Sequence, residues 1–260
     1  MFGLRGKPKL GLALSGGAAR GLAHIGIIKA IENEEIRISY VAGTSVGSLI
    51  GALFAAGVGW QEMAELARKL KWRDLVSVSL SGLGLARTDK LQKIIDRLLG
   101  GKRFEDLAIP FAAVAVDIAT GEKVILKTGS VAEAVRASCS IPGIFEPVSF
   151  NGRLLVDGGV LDNLPCSVVR KMGADVVIAC DLNAGEINKA NPKNIIDILY
   201  RCFQLMLNES RRSKDEADIL IAPELAGKSY HDLRPIDEYI LLGETAFRSR
   251  LQAIKKKAHL

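Results

Sequence analysis

A three-layer α/β/α architecture with a mostly parallel central sheet is what three observations in this 260-residue chain predict. Short, continuously apolar runs such as LGLAL, AAVAV and VVIAC read as strands buried on both faces. They alternate with longer segments of helical periodicity. Glycines mark the junctions between the two.

The elements follow in order. Segment 9–17 is a strand running into glycines, and 19–35 is a helix with apolar positions at Leu22, Ile25, Ile28 and Ile31. "ISYVAGT" is a second strand, followed by helices over 46–56, 61–71 and 88–99, the last capped by Thr88 or Asp89. "PFAAVAVDIA" and "EKVILKTG" read as strands, and "SVAEAVRASCS" as a helix ended by Pro142. "GRLLVDGG" is a strand into a turn, "PCSVVRKMG" a helix with Gly173 past its end, and "ADVVIACDL" a buried strand. A long helix over 191–214, the strand "ADILIAPEL" and a helix over 235–256 complete the chain. With no linker or repeat, one domain over 1–260 is expected.

Composition narrows the function. A hydrophobic content of 48% supports a large core. A net charge of +6 suits an anionic membrane surface but lacks the dense Lys/Arg stripe of a nucleic-acid binder. Cys139, Cys166, Cys180 and Cys202 have no metal or disulfide spacing and read as free thiols in a reducing compartment. The three histidines are scattered, and neither metal nor cofactor is expected. The first residues are basic without the apolar core of a signal peptide, and 41–60 is too interrupted by glycine and serine to span a bilayer. A cytoplasmic protein, peripheral at most to the inner membrane face, is expected.

The loop Gly16-Gly17-Ala18-Ala19-Arg20-Gly21 between the first strand and helix suits a phosphate cradle or an oxyanion hole, since both use free backbone N–H groups. No G-K-[ST] follows, which excludes a P-loop. The acidic residue of a dinucleotide site is missing from the end of the second strand. Gly16, Gly17 and Ala18 are therefore candidate oxyanion donors, with Arg20 a structural or anion-orienting cation that needs local compensation.

Gly43-Thr44-Ser45-Val46-Gly47 occupies a strand–turn–helix junction. A serine there could simply cap the helix, but G-x-S-x-G in this setting is also the nucleophile elbow, with the hydroxyl lifted from a strained turn. A base is then required. His231 and His259 lie in polar or terminal segments, and His24 falls inside the first helix as a packed residue. Asp157, at the end of an apolar strand before Gly158 and Gly159, is either an Asp-Gly turn or a carboxylate facing the ligand crevice. Asp162 and Asn163 read as caps of the helix near Pro165.

With these three motifs in order, the chain resembles the patatin-like phospholipases, and most closely the small bacterial members related to neuropathy target esterase. The likeness runs from about residue 9 to 183 and includes the connectors "TGEKVILKTGSVAEAVRASCSIPGIFEPV" and "DGGVLDNLP". A weaker echo continues in the C-terminal helical region, 191–260. The resemblance implies the patatin-like fold and a lipid or acyl-ester substrate. It also implies a Ser45–Asp157 dyad without histidine and an oxyanion hole in the glycine loop. Gly21, Gly43, Gly47, Gly158 and Gly159 are its motif glycines. Ala18 replaces a glycine found in many members, which suits a donor only if its φ is negative. An ordinary aspartate, with a pKa of about 3.9, is a weak base, so burial by neighbours such as Leu155, Val156 and Val160 would have to raise it. The alternative is a non-catalytic regulatory or acyl-binding protein on the same fold. Residues 71–88 read as a buried strand or loop, or as an apolar flap with Trp72, Lys71 and Arg73 at an anionic interface.

Overall fold

A computed structural model describes residues 7–184, 191–210 and 212–260. The basic first residues, 1–6, lie outside them, as does Arg211 within the expected helix 191–214. The chain begins with β1 (Leu10–Leu14), a 3₁₀ turn over Ala18–Gly21, α1 (Leu22–Asn33), β2 (Ile38–Thr44) and α2 (Val46–Ala55). Next come α3 (Trp60–Lys69), the short α4 (Trp72–Leu75), a small hairpin of β3 (Ser77–Val78) and β4 (Ala86–Arg87), and α5 (Asp89–Leu99). The middle of the chain forms β5 (Phe111–Asp117), β6 (Glu122–Leu126), α6 (Val131–Ser138), β7 (Val148–Phe150) and β8 (Arg153–Asp157). Finally there are α7 (Cys166–Lys171), β9 (Val176–Cys180), α8 (Ile195–Glu209), β10 (Ile219–Ile221) and α9 (Ile236–Ala258).

The main sheet runs β10-β9-β1-β2-β5-β8-β7, with β6 also paired to β5. β10, β9, β1, β2 and β5 are parallel, while β6, β7 and β8 enter by antiparallel pairing. β1, β5 and β9 are buried along their whole length, as continuous apolar runs require. Alternate side chains separate the layers. Leu10, Leu12 and Leu14 join the core under α1, α2 and α9, whereas Ala13 faces Val168 and Val169 of α7.

The register around β5 positions the site. β6 pairs with residues 113–117 of β5, overlapping both the β2 pairing at 111–114 and the β8 pairing at 115–117. A strand has two edges, so β2 and β8 must share the edge opposite β6. They meet there end to end, Thr44 opposite Val114 and Asp157 opposite Ala115. The antiparallel course of β8, rather than the carboxyl-end rule of parallel sheets, thus delivers Asp157 to the end of β2.

Three local expectations change. α8 is shorter than 191–214, starting where the Asn194 side chain accepts from the Asp197 N–H at 3.0 Å. Thr88 precedes α5 without a capping bond, its hydroxyl instead accepting from Arg136 Nε at 3.4 Å. Asp162 and Asn163 do not cap α7, which starts after Pro165 with no side-chain cap. Asp162 pairs with Lys123 at 2.8 Å, and Asn163 holds the glycine loop.

α9 is tightly seated. A Cβ on Gly26 of α1 would lie 1.9 Å from the Ile240 carbonyl oxygen, and one on Gly243 of α9 would lie 1.9 Å from that of Ala23. Backbone meets backbone here, so a side chain can be admitted only by separating the helices. Gly26→Ala is expected to destabilise the fold by about 1–3 kcal/mol in urea denaturation, the usual cost of overpacking. An unchanged midpoint would show that the α1–α9 contact is looser than described.

Candidate functional site

Ser45 leaves the sheet at the junction of β2 and β8. Its φ of 54° and ψ of −127° lie outside the regions a side chain normally allows. Such a conformation costs about 1–3 kcal/mol and needs strong local bonding. The Ser45 N–H donates to Ser138 Oγ at 2.9 Å, and that hydroxyl donates to the Val114 carbonyl at 2.6 Å. The Ser45 carbonyl accepts from the Ser48 N–H and hydroxyl. No side-chain cap forms, so Ser45 is not a capping serine. Gly43 and Gly47 are needed for close approach: a Cβ on either would lie 2.3 Å from a backbone oxygen, of Gly47 and Leu14 respectively.

Asp157 is fully buried. Its Oδ1 accepts from the Gly159 N–H at 2.8 Å, while Oδ2 has no hydrogen-bond partner among the described residues. Burial pushes this carboxyl up to about 7; the Ser45 hydroxyl and the Gly159 N–H oppose that rise without cancelling it. Ser45 and Asp157 meet where β2 and β8 abut on β5, and no bond from the Ser45 hydroxyl to Oδ2 is complete. No histidine is among the groups acting on it. Gly158 and Gly159 admit this packing, since a Cβ on Gly158 would meet the Val114 carbonyl at 2.3 Å and one on Gly159 would meet Leu207 at 2.4 Å.

The three histidines are placed elsewhere. His24 is fully buried, with Nε2 2.9 Å from the Ser15 carbonyl, and burial lowers it to about 4. It is a neutral, packed residue. His231 sets its ring against Tyr200 at 4.1 Å, and His259 ends α9 in the left-handed region.

In the glycine loop the candidate residues separate. The Gly16 N–H is occupied, bonding the Asn163 carbonyl at 3.2 Å and Asn163 Oδ1 at 3.0 Å. The Arg20 N–H closes onto the Gly17 carbonyl. The Gly17 and Ala18 N–H groups have no acceptor among the described residues. Ala18 has a φ of 48°, so the expected negative angle is not found, and the condition set on donation falls away, since a positive φ strains an alanine backbone without occupying its N–H. Gly21 lets Val46 approach to 2.2 Å of where its own Cβ would stand.

Arg20 is compensated by oxygens and a ring rather than by a carboxylate. Its guanidinium donates to the Lys228 carbonyl at 2.9 and 3.2 Å and to Tyr230 Oη at 2.8 Å, and stacks 3.8 Å over the Tyr230 ring. Tyr230 Oη donates to Asn183 Oδ1, and Asn183 Nδ2 donates to the Gly16 carbonyl at 2.8 Å. The Arg20 side chain is a strap behind the loop, which is the structural rather than the anion-orienting place. Asn163 and Asn183 were missed as supports, although the neighbouring "DGG" placed Asn163 in the right segment.

Ser45 and Ala18 open onto an almost wholly apolar cleft lined by residues including Leu22, Leu53, Met63 and Ile95. Cys139 also lines it, and burial holds its thiol far above the usual range. Among the described residues, no cluster of His, Cys, Asp or Glu could hold a metal ion. No described helix is long and apolar enough to cross a membrane.

A strained serine beside a buried carboxyl, a loop with free N–H groups and an apolar cleft coincide with a family match. The patatin-like phospholipase profile covers residues 12–170. The chain belongs to the patatin-like phospholipase family. It is 39% identical over 186 residues to an NTE family protein of Mycobacterium tuberculosis, covering 70% of this chain and 51% of that one. It is 35% identical over 196 residues to a lysophospholipase NTE1 of Yarrowia lipolytica, covering 73% of this chain and 14% of that one. The chain thus spans about half the length of the mycobacterial relative and a small part of the fungal one. Among solved structures, VipD of Legionella pneumophila superposes with a TM-score of 0.70 at 14% identity, covering 97% of this chain and 67% of that one. That likeness shows the shared fold.

The Asp157 carboxyl also makes stability depend on pH. Because the fold raises its pKa, the fold favours the protonated form. The group therefore destabilises the protein progressively as pH rises from about 4 through about 7. Asp157→Asn keeps an acceptor for the Gly159 N–H and removes the buried charge. It should melt above the wild type at pH 8 and close to it near pH 4. A lower melting temperature at pH 8 would show that the carboxylate is stabilised in the fold.

Proposed function

We propose that this chain is a lipid acyl hydrolase in which Ser45 is the nucleophile and Asp157 the general base. The observation that carries this reading is the buried, unpartnered Oδ2 of Asp157 beside the Ser45 hydroxyl, on a carboxyl raised to about 7. A base with its pKa near the working pH is both deprotonated often enough and strong enough to take a serine proton.

In the first step Ser45 Oγ attacks the ester carbonyl while its proton moves to Asp157 Oδ2. The carbonyl oxygen becomes an oxyanion and accepts from the Gly17 and Ala18 N–H groups, whose free donors support that role. The tetrahedral species collapses, the C–O bond to the alcohol breaks, and the departing oxygen takes the proton from Asp157. Water then attacks the acyl-serine with Asp157 again as base, and Ser45 is restored with release of a carboxylic acid. The cleft beside Ser45 suits a hydrocarbon chain, since an apolar wall offers nothing to a polar acyl group.

A fluorophosphonate should label the wild type and leave Ser45→Ala unlabelled, and Asp157→Asn should lose most ester turnover. The kcat/KM for an acyl ester should rise with pH through an inflection near 7, because the base must be ionised. At pH 5 it should stand about a hundredfold below its plateau. A labelled Ser45→Ala variant would place the nucleophile elsewhere. No labelling of the folded wild type would favour a non-catalytic acyl-binding protein.

A further inference from the structure

The β3–β4 hairpin has its polarity turned outside in. Ser79 is half-buried, and the Glu146 carboxylate accepts from it and, at 2.6 Å, from the exposed Ser81. Its aliphatic side chains face solvent: Leu80 is 97% exposed, Val78 79% and Leu83 60%. The hairpin is nonetheless anchored. The Leu85 and Ala86 N–H groups donate to the Ile144 carbonyl at 3.0 and 2.9 Å, and the Glu146 N–H donates to the Ala86 carbonyl. Exposed aliphatic residues on an anchored hairpin are a standing cost in water.

A second segment does the same nearby. At the start of α8, Ile195 is 63% exposed, and Ile196 and Ile198 are also exposed. Leu199 packs in one cluster with Ile144, the residue that holds the hairpin. Trp72 Nε1 donates to the His231 carbonyl, and the His231 ring packs on Tyr200 of α8. The two segments therefore flank the same loop, 141–146. Trp72 and Val76 just before the hairpin, Phe145 of that loop and Tyr200 of α8 also line the apolar cleft.

The rim of these segments carries more cations than carboxylates. Lys71, Arg73, Lys90 and Lys193 are exposed. Of the carboxylates beside them, Asp89 is paired with Arg87 and Arg136 and Asp74 lies 3.9 Å from Arg73, while Glu146 and Asp197 keep their charge, bonded by hydroxyl, amide and backbone donors. Aliphatic residues ringed by lysine and arginine complement an anionic lipid surface, which takes the side chains into its acyl region and the cations at its headgroups.

We propose that the hairpin 77–87 and the first turn of α8 together form a docking surface for an anionic lipid bilayer, seating the cleft mouth against the membrane. Adsorption is a property of this surface alone. Only its consequence, passage of an acyl chain into the cleft without crossing water, rests on the hydrolase reading.

The test is flotation of the chain with phosphatidylcholine vesicles, with and without about 30% phosphatidylglycerol. The wild type should bind the anionic vesicles about tenfold or more tighter, and salt should weaken that binding. Leu80→Asp with Leu83→Asp should weaken it at least about tenfold, as should Lys71→Glu with Arg73→Glu. Both variants should keep the wild-type melting temperature and the wild-type turnover of a water-soluble p-nitrophenyl butyrate. Wild-type protein that floats with neither vesicle would overturn the proposal, as would variants that bind like wild type or equal binding to both vesicles. A wild-type dimer that ignores vesicles and is split by the leucine substitutions would assign the surface to a second copy of the chain, and also overturn it. Flotation as expected without butyrate turnover would leave the docking surface standing and count against the hydrolase reading.

Discussion

One edge of β5 is shared by two strands that arrive from opposite directions. β2 ends at Thr44 opposite Val114, and β8 ends at Asp157 opposite Ala115. A serine elbow and a carboxyl distant in sequence are thereby brought together by backbone register, without relying on flexible side chains. The Val114 carbonyl between them accepts from Ser138 Oγ, which in turn accepts from the Ser45 N–H. Moving either strand by one residue would turn its side chains to the opposite face and separate the pair. The glycines around the junction follow from this meeting, because side chains at Gly43, Gly47 and Gly158 would collide with backbone.

The same junction explains the electrostatics. A carboxyl enclosed by strands and held by one N–H bond is poorly compensated as an anion, so its pKa rises. An ordinary surface aspartate would be ionised but too weak a base. A carboxyl with two or three donors would be weaker still. Ser45 and Ala18 both have positive φ angles, and each is held by a network behind it. For the loop, that network runs through Asn163, Asn183, Tyr230 and Arg20, which fix Gly16 while Gly17 and Ala18 keep open N–H groups.

Much of this was legible in the residues. Continuous apolar runs marked β1, β5 and β9, because strands buried on both faces need apolar side chains at every position. Ser45 and Asp157 stood out through their glycines. The antiparallel course of β8 was not legible, since periodicity carries no strand direction. Nor was β7, a three-residue strand whose Ser149 is exposed. Asn163 looked like a cap because Asx residues before a helix usually are caps, and here tertiary contact with Gly16 prevailed. The hairpin at 77–87 was ambiguous for a physical reason. Its Ser/Leu alternation fits a half-buried strand, but Val78, Leu80 and Leu83 are left exposed while Ser79 and Ser81 bond Glu146.

Burial in this fold lifts the Asp157 carboxyl to about 7. The most direct test of that rise is titration of the carboxyl by carbon-13 NMR in protein labelled at aspartate, assigned by comparison with Asp157→Asn. A midpoint near 7 is expected, because burial raises this carboxyl. A midpoint near the ordinary aspartate value of about 4 would contradict it.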